Sequence, residues 1–114
     1  MSEEYDNLVE DLKALDGCPF AENGWETRPK SDSWGVVTLE YEAGTLNGDN
    51  LKQARAFEGS IDLFSKRKNG EGYPEDIEEI LTENCEGCWT LNGPTRWEPE
   101  TGYFHWEWVF QVEG

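Results

Sequence analysis

Residues 102–114, GYFHWEWVFQVEG, constrain the fold of this chain more than any other segment. Apolar side chains stand at every second position, which is the period of a β-strand; they are Phe104, Trp106, Trp108, Phe110 and Val112. Burying one aromatic side chain removes on the order of 150 to 250 Å² from water. We therefore predict a strand with one covered face, and either the rest of the chain or a partner must cover it.

Length and composition predict one folded domain over residues 1–114. A chain of 114 residues can bury a real core but is short for two ordinary domains. Six Trp and five Phe contribute to a hydrophobic fraction of 36%, which differs from the aromatic-poor composition of a disordered acidic tail.

The charge of the chain argues against several classes of function. Nine Lys and Arg against 25 Asp and Glu give a formal net charge of −16, whereas nucleic-acid binding needs clustered cations. The same charge argues against adsorption to an anionic membrane, and no apolar run approaches the roughly 20 residues that span a bilayer. Residues 1–15 are acidic and amphipathic, unlike a secretory leader. We expect cytoplasmic synthesis and no membrane association.

Two helices are predicted from apolar residues spaced three and four positions apart. The first has Ser2 as its N-cap and ends at Gly17; its apolar positions are Tyr5, Leu8, Leu12 and Leu15. The second begins near Pro74, which suits a first helical turn; its apolar positions are Ile77, Ile80 and Leu81.

Two further strands are predicted from alternation with a period of two. Residues 34–42, WGVVTLEYE, and residues 53–66, QARAFEGSIDLFSK, are expected to pair as an antiparallel hairpin with a long tip. Gly59 in the second strand indicates a bulge or a close approach of another group.

The order of these elements predicts an α+β fold, in which an antiparallel sheet of about four strands carries two helices on one face. Residues 17–33 are predicted to be a loop that packs Phe20 and Trp25 onto the core. Residues 88–102 are predicted to form a short strand and turns that lead into the aromatic strand.

The aromatic content exceeds what the two helices are expected to cover. Their aliphatic stripes are short, and large aromatic residues are enriched in the cores of protein interfaces. We therefore predict that part of the aromatic surface meets another subunit, with Trp34, Trp89 and Trp97 as the candidates. The alternative is that all six Trp are ordinary core or surface residues of one chain.

Residues that support catalysis do not form a recognisable set in this sequence. His105 is the one histidine, and a single histidine on the polar face of a strand is more often hydrogen-bonded than catalytic. No phosphate-binding glycine loop is present. We predict no enzymatic activity and no cofactor.

The cysteines leave one weaker possibility open. Cys85 and Cys88 have the spacing of half a zinc site, which Cys18 and His105 would have to complete. A single pair is a weak signal, and three cysteines without a secretory leader fit reduced thiols. No metal is therefore predicted, and Cys85 with Cys88 is kept as an alternative metal or thiol site.

The chain resembles the tail terminator and related minor tail proteins of long-tailed bacteriophages. The likeness covers nearly the whole chain and is carried by the element order and by three segments, WGVVTLEYEAGTL, ARAFEGSIDLFSK and EPETGYFHWEWVFQVEG. The resemblance implies a small α+β subunit without catalytic residues that forms a hexameric ring. Such a ring caps the tail tube and contacts the tail-tube protein and the head-side connector protein. It also implies residence in the host cytoplasm during assembly and in the virion tail afterwards.

Ring formation needs two unlike surfaces that meet between neighbours. We predict that the loop from Gly44 to Leu51 contacts the next subunit, together with the exposed aromatic residues. The candidate interface residues of this loop are Gly44, Thr45, Leu46, Asn47 and Leu51. A subunit around passing DNA should not hold phosphate, which agrees with the acidic composition.

A competing hypothesis also starts from the charge. A small, strongly acidic protein can imitate DNA and inhibit a nuclease or a DNA-binding regulator. Such a mimic has to present its carboxylates as a phosphate-like array on one surface, whereas a ring subunit needs apolar flanks as well.

Overall fold

A computed structural model describes residues 3–45, 55–93 and 95–113. Within these ranges the chain is an α+β domain of two α-helices, one 3₁₀ turn and six strands. In chain order they are α1 (Glu3–Lys13), β1 (Phe20–Glu22), β2 (Ser33–Thr45), β3 (Arg55–Ser65), the 3₁₀ turn Gly70–Gly72, α2 (Tyr73–Cys85), β4 (Trp89–Leu91), β5 (Arg96–Glu98) and β6 (Tyr103–Glu113).

The six strands form one mixed sheet. The spatial order is β1-β2-β3-β6-β4, and β5 also pairs with β6 beside β4. β1 runs parallel to β2, while the other pairs are antiparallel. The α+β prediction is confirmed, but the prediction of about four antiparallel strands is wrong in its detail. A three-residue strand is too short to show alternation, and the sequence pattern therefore predicts a loop where β1 lies.

Both helices pack on the same face of the sheet. Most of the predicted apolar positions are buried, and the buried residues are Tyr5, Leu8, Val9 and Leu12 in α1 and Ile77, Leu81 and Cys85 in α2. Val9 and Cys85 are not among the predicted positions, and α1 ends at Lys13, so the prediction that it runs to Gly17 and includes Leu15 is wrong. These residues form one core cluster with the sheet residues Val37, Ile61, Leu63, Trp106, Trp108, Phe110 and Val112. Pro74 occupies the first turn of α2, as expected.

The aromatic face of β6 is covered by the helices of the same chain. Trp108 and Phe110 are 0% and 1% exposed. The buried indole Nε1 of Trp108 donates a hydrogen bond to Glu78 Oε2 of α2 at 2.9 Å. The helices therefore cover this stripe from Trp106 to Val112, while Phe104 at its start is half-buried and lies beside the exposed Trp97.

Gly59 marks a close approach, as its place in the strand predicts. A Cβ at this position would lie 2.5 Å from the Phe110 ring and would also meet the carbonyl oxygen of Thr38. Gly35 serves the same purpose for the Phe20 ring, which packs over it. The absence of a side chain at these two positions lets aromatic rings lie directly against the sheet.

Strand β2 is longer than the alternation of residues 34–42 indicates. It continues to Thr45, where it pairs with Arg55, and its register shifts between Leu39 and Tyr41 and again between Glu42 and Gly44. These irregularities disturb the period-two pattern at the point where the sequence predicts a loop. Gly44 and Thr45 are therefore strand residues.

Candidate interaction site on the helix-free face

The face of the sheet opposite the helices carries a ladder of three stacked rings. Trp34 of β2, Phe64 of β3 and His105 of β6 are register neighbours. The Trp34 and Phe64 ring centroids are 4.4 Å apart and those of Phe64 and His105 are 4.3 Å apart, each with 18° between the planes. Tyr103 meets the Trp34 ring edge to face at 5.9 Å. Directly opposed cross-strand aromatics of this kind stabilise a sheet.

His105 is held between two carboxylates. Its Nε2 lies 2.7 Å from Asp62 Oδ1 and its Nδ1 lies 2.8 Å from Glu98 Oε2. The hydrogen bond with Asp62, assisted by that with Glu98, raises the pKa of His105 above its ordinary value against the opposing effect of burial. In the protonated form both ring nitrogens donate, and the cation lies over the Phe64 face, which favours it further.

This arrangement gives His105 a structural role. It joins β3 to β5 through side chains from both, whereas a general base needs a free nitrogen within reach of a substrate proton. Both nitrogens are already occupied by carboxylates. The histidine therefore stabilises the helix-free face.

Beside the ring ladder lies an open hollow of about 500 Å³ with mostly apolar walls. Its lining residues are Trp25, Arg28, Trp34, Val36, Asp62 and Phe64. Trp25 reaches this face because its Nε1 donates a hydrogen bond to the Gly35 carbonyl oxygen at 3.0 Å. The prediction that residues 17–33 pack two aromatics onto the core is correct for Phe20, while Trp25 forms a wall of this hollow instead. We call it the aromatic hollow.

A second hollow, of about 420 Å³, adjoins the first through Arg28 and is lined by polar groups. It contains Arg28, Pro29, Lys30, Ser31, Asp32, Lys66 and Tyr103. The Arg28 guanidinium carbon lies 5.7 Å from the Trp34 ring centroid and 5.6 Å from that of Tyr103, and Lys66 Nζ lies 5.9 Å from the Tyr103 ring. We call this second hollow the basic hollow.

Of the cations in the basic hollow, Lys66 has an ion-pair partner among the described residues and Arg28 does not. Asp32 lies 3.9 Å from Lys66 Nζ and 3.8 Å from Arg67 Nη2. Arg28 forms no ion pair with any residue that the structure describes, although the chain has 25 acidic residues. Its guanidinium lies over two aromatic rings, and none of its five donors is hydrogen-bonded to a residue that the structure describes.

The opposite surface, formed by the helices, is strongly acidic. α1 and α2 together carry ten of the 25 acidic residues and one of the nine basic ones. On α2 the spacings of three and four place Asp76, Glu79, Ile80 and Glu83 on one face. With Leu15 they line an open groove of about 310 Å³. We call this the acidic groove.

The predicted interface residues fall in several places. Trp34 lines the aromatic hollow, although only 8% of its surface is exposed. Trp89 is half-buried, and its Nε1 donates a hydrogen bond to Thr82 Oγ1 at 3.1 Å. Trp97 is 50% exposed and lies beside Phe104. Gly44 and Thr45 pair with Ala56 and Arg55 in the sheet. Leu46, Asn47 and Leu51 lie outside the described residues. Neither Arg28 nor the surface position of Trp25 is predicted from the sequence, since neither residue stands in a periodic segment.

The cysteines do not assemble with His105. Cys18 and Cys85 are buried in the helix-side core, whereas His105 lies on the other face of the sheet and Cys88 is exposed. Burial raises the pKa of both Cys18 and Cys85 to about 12, which keeps these thiols protonated at neutral pH. Among the described residues no group of three potential ligands is placed to hold a metal ion.

No protein-family model matches the chain, and no curated protein matches its sequence. Neither of the two described helices is long and apolar enough to cross a membrane.

Proposed function

We propose that the protein is a structural subunit that assembles head to tail with copies of itself into a closed ring. The observation that carries this proposal is the placement of two unlike surfaces on opposite faces of one sheet. The helix layer is acidic, and the helix-free face combines aromatic rings with Arg28, which has no ion-pair partner among the described residues.

Opposed unlike surfaces favour a heterologous contact. When the acidic layer of one copy meets the helix-free face of the next, each added copy still presents one free surface of each kind. The assembly then either closes into a ring or continues as a filament. A self-complementary dimer would need both kinds of surface to lie side by side on one face.

The resemblance to tail terminators supplies the biological setting of the proposal. A ring of this kind caps the phage tail tube and contacts the tube protein on one side and the head-side connector protein on the other. The acidic composition fits a channel through which DNA passes without being held.

The test is the mass of the purified protein, measured by light scattering over a concentration series at low and physiological salt. At physiological ionic strength the screening length is about 8 Å, so long-range repulsion between chains of charge −16 is weakened more than contacts at short distance. The proposal predicts a closed oligomer whose mass stops increasing with concentration and which forms more readily at the higher salt. A monomer at every concentration contradicts it.

A second candidate function is imitation of DNA. The helix layer favours it, because its exposed carboxylates lie on one surface with a single Lys among them. Binding to an immobilised basic DNA-binding protein, with DNA as competitor, tests this function. Retention that DNA displaces supports the mimic; passage through the column together with oligomer formation supports the ring subunit.

A further inference from the structure

We propose that the aromatic hollow and the basic hollow form one binding site for the acidic groove of a second copy of this chain. The inference rests on the proposed function and identifies the groups that make the contact between neighbouring subunits. Arg28 stands where the two hollows join and is the central residue of the site.

The chemistry of the site selects an amphipathic anionic surface. Trp25, Trp34 and Phe64 form apolar walls, and the Asp62 carboxylate of the same hollow is hydrogen-bonded to His105. Next to them Arg28 and Lys30 offer positive charge without an ion-pair partner among the described residues. A surface that carries both an aliphatic side chain and carboxylates can contact the aromatic hollow with the former and the basic hollow with the latter. Arg28 is suited to such a contact, because a guanidinium can stack on a ring and still donate to a carboxylate at its edge.

The acidic groove has the complementary composition. Ile80 and Leu15 are half-buried aliphatic residues at its floor, and Asp76, Glu79 and Glu83 are exposed at its margins. None of these three carboxylates forms an ion pair with a Lys or Arg that the structure describes. Glu79 is the middle carboxylate of this α2 face and is the natural partner for Arg28.

The two surfaces cannot meet within one molecule. The acidic groove belongs to the helix layer, and the two hollows open on the other face of the sheet. A contact between them therefore joins different copies.

The experiment is a charge exchange between Arg28 and Glu79, followed through the self-association constant from sedimentation or light scattering. Arg28→Glu alone and Glu79→Arg alone are each expected to weaken self-association at least about tenfold, because each places like charges in contact. The double variant again places opposite charges in contact, with their positions exchanged. Its self-association constant is expected to return to within about threefold of that of the original protein.

Arg96→Glu is the matched control. Arg96 is exposed on the same face of the sheet but lines neither hollow, and its replacement changes the net charge by the same amount as Arg28→Glu. An effect below about threefold is expected. If both arginine variants weaken association equally, net charge is responsible and the proposed site is wrong.

Failure of the site and failure of the proposed function give different results. If the original protein assembles and the exchange does not restore assembly, the contact lies elsewhere while the ring remains. If the original protein does not assemble at all, the proposed function fails and the site fails with it.

An independent readout comes from the indole N–H signals in a concentration series followed by NMR. Trp25 and Trp34 line the aromatic hollow, and the buried Nε1 of Trp34 has no hydrogen-bond partner among the described residues. Both signals are expected to shift on association, while that of Trp97 stays in place. Shifts of Trp97 alone would overturn the assignment.

Discussion

Replacing His105 with Gln tests how the helix-free face is held together. In the original protein His105 contacts Asp62 and Glu98 at 2.7 and 2.8 Å, and all three side chains are partly accessible, at 16%, 26% and 28%. A hydrogen bond to a charged group contributes roughly 1.5 to 3 kcal/mol when well shielded. Because solvent screens part of this pair and Gln can keep one bond, we expect a loss of about 1 to 2 kcal/mol near pH 6.

The loss should depend on pH in a defined direction. The folded-state pKa of His105 is raised, so its contribution is complete below the ordinary value of about 6.5 and disappears as pH increases through the folded-state value. The difference in unfolding free energy between the original protein and His105→Gln is therefore largest near pH 6 and smaller near pH 9. Urea unfolding followed by Trp fluorescence between these two pH values measures it. A difference that is constant or grows with pH refutes the reasoning.

The single histidine also permits a direct measurement of its pKa. One imidazole signal is expected in a proton NMR titration, because the chain contains one His. The hydrogen bond with Asp62 is the largest cause of the raised pKa, so Asp62→Asn is expected to lower the pKa of His105 more than Glu98→Gln does. The reverse order would show that Glu98 is the dominant partner.

Three further results test the packing and the exposure of individual residues. Gly59→Ala should destabilise the fold by about 1 to 3 kcal/mol in urea unfolding, because the added Cβ meets the ring and carbonyl packed over it; an unchanged midpoint contradicts this packing. A thiol reagent should modify exposed Cys88 quickly in the native state and buried Cys18 and Cys85 only after unfolding; equal native rates for all three would contradict their burial. Trp108→Phe should cost about 1 to 3 kcal/mol, because a fully buried side chain shrinks and its hydrogen bond is lost; thermal unfolding measures the loss, and an unchanged midpoint would contradict it.

The periodic segments made much of the fold predictable. The alternation of residues 102–114 predicts the covered face of β6, and spacings of three and four predict the buried faces of α1 and α2. The close approach at Gly59 is predictable as well, because a glycine inside a strand commonly marks a bulge or a closely packed neighbour. These signals are local, and a local signal is visible in a single sequence.

The remaining features depend on contacts between distant residues. β1 joins the sheet through backbone hydrogen bonds that no side-chain pattern records, such as that from Gly35 N to the Pro19 oxygen. Asp62 and His105 meet because adjacent strands fix their register, although they are 43 residues apart. Arg28 reaches the Trp34 ring from a loop without periodicity. The aromatic and basic hollows therefore form only when distant segments of the chain come together, and a local sequence pattern does not predict them.

The most direct test of head-to-tail assembly mixes two variants, each of which has lost a different one of the two contact surfaces. One carries Arg28→Glu with Lys66→Glu and has no functional basic hollow; the other carries Asp76→Asn with Glu79→Gln, which lowers the negative charge of the acidic groove without making it complementary to the altered hollow. Each variant alone is expected to stay monomeric at 13.1 kDa, because each retains only one of the two unlike surfaces. An equimolar mixture should form a complex of two chains and nothing larger. A mixture that remains monomeric, or a single variant that still forms large oligomers, would contradict assembly through these opposed surfaces.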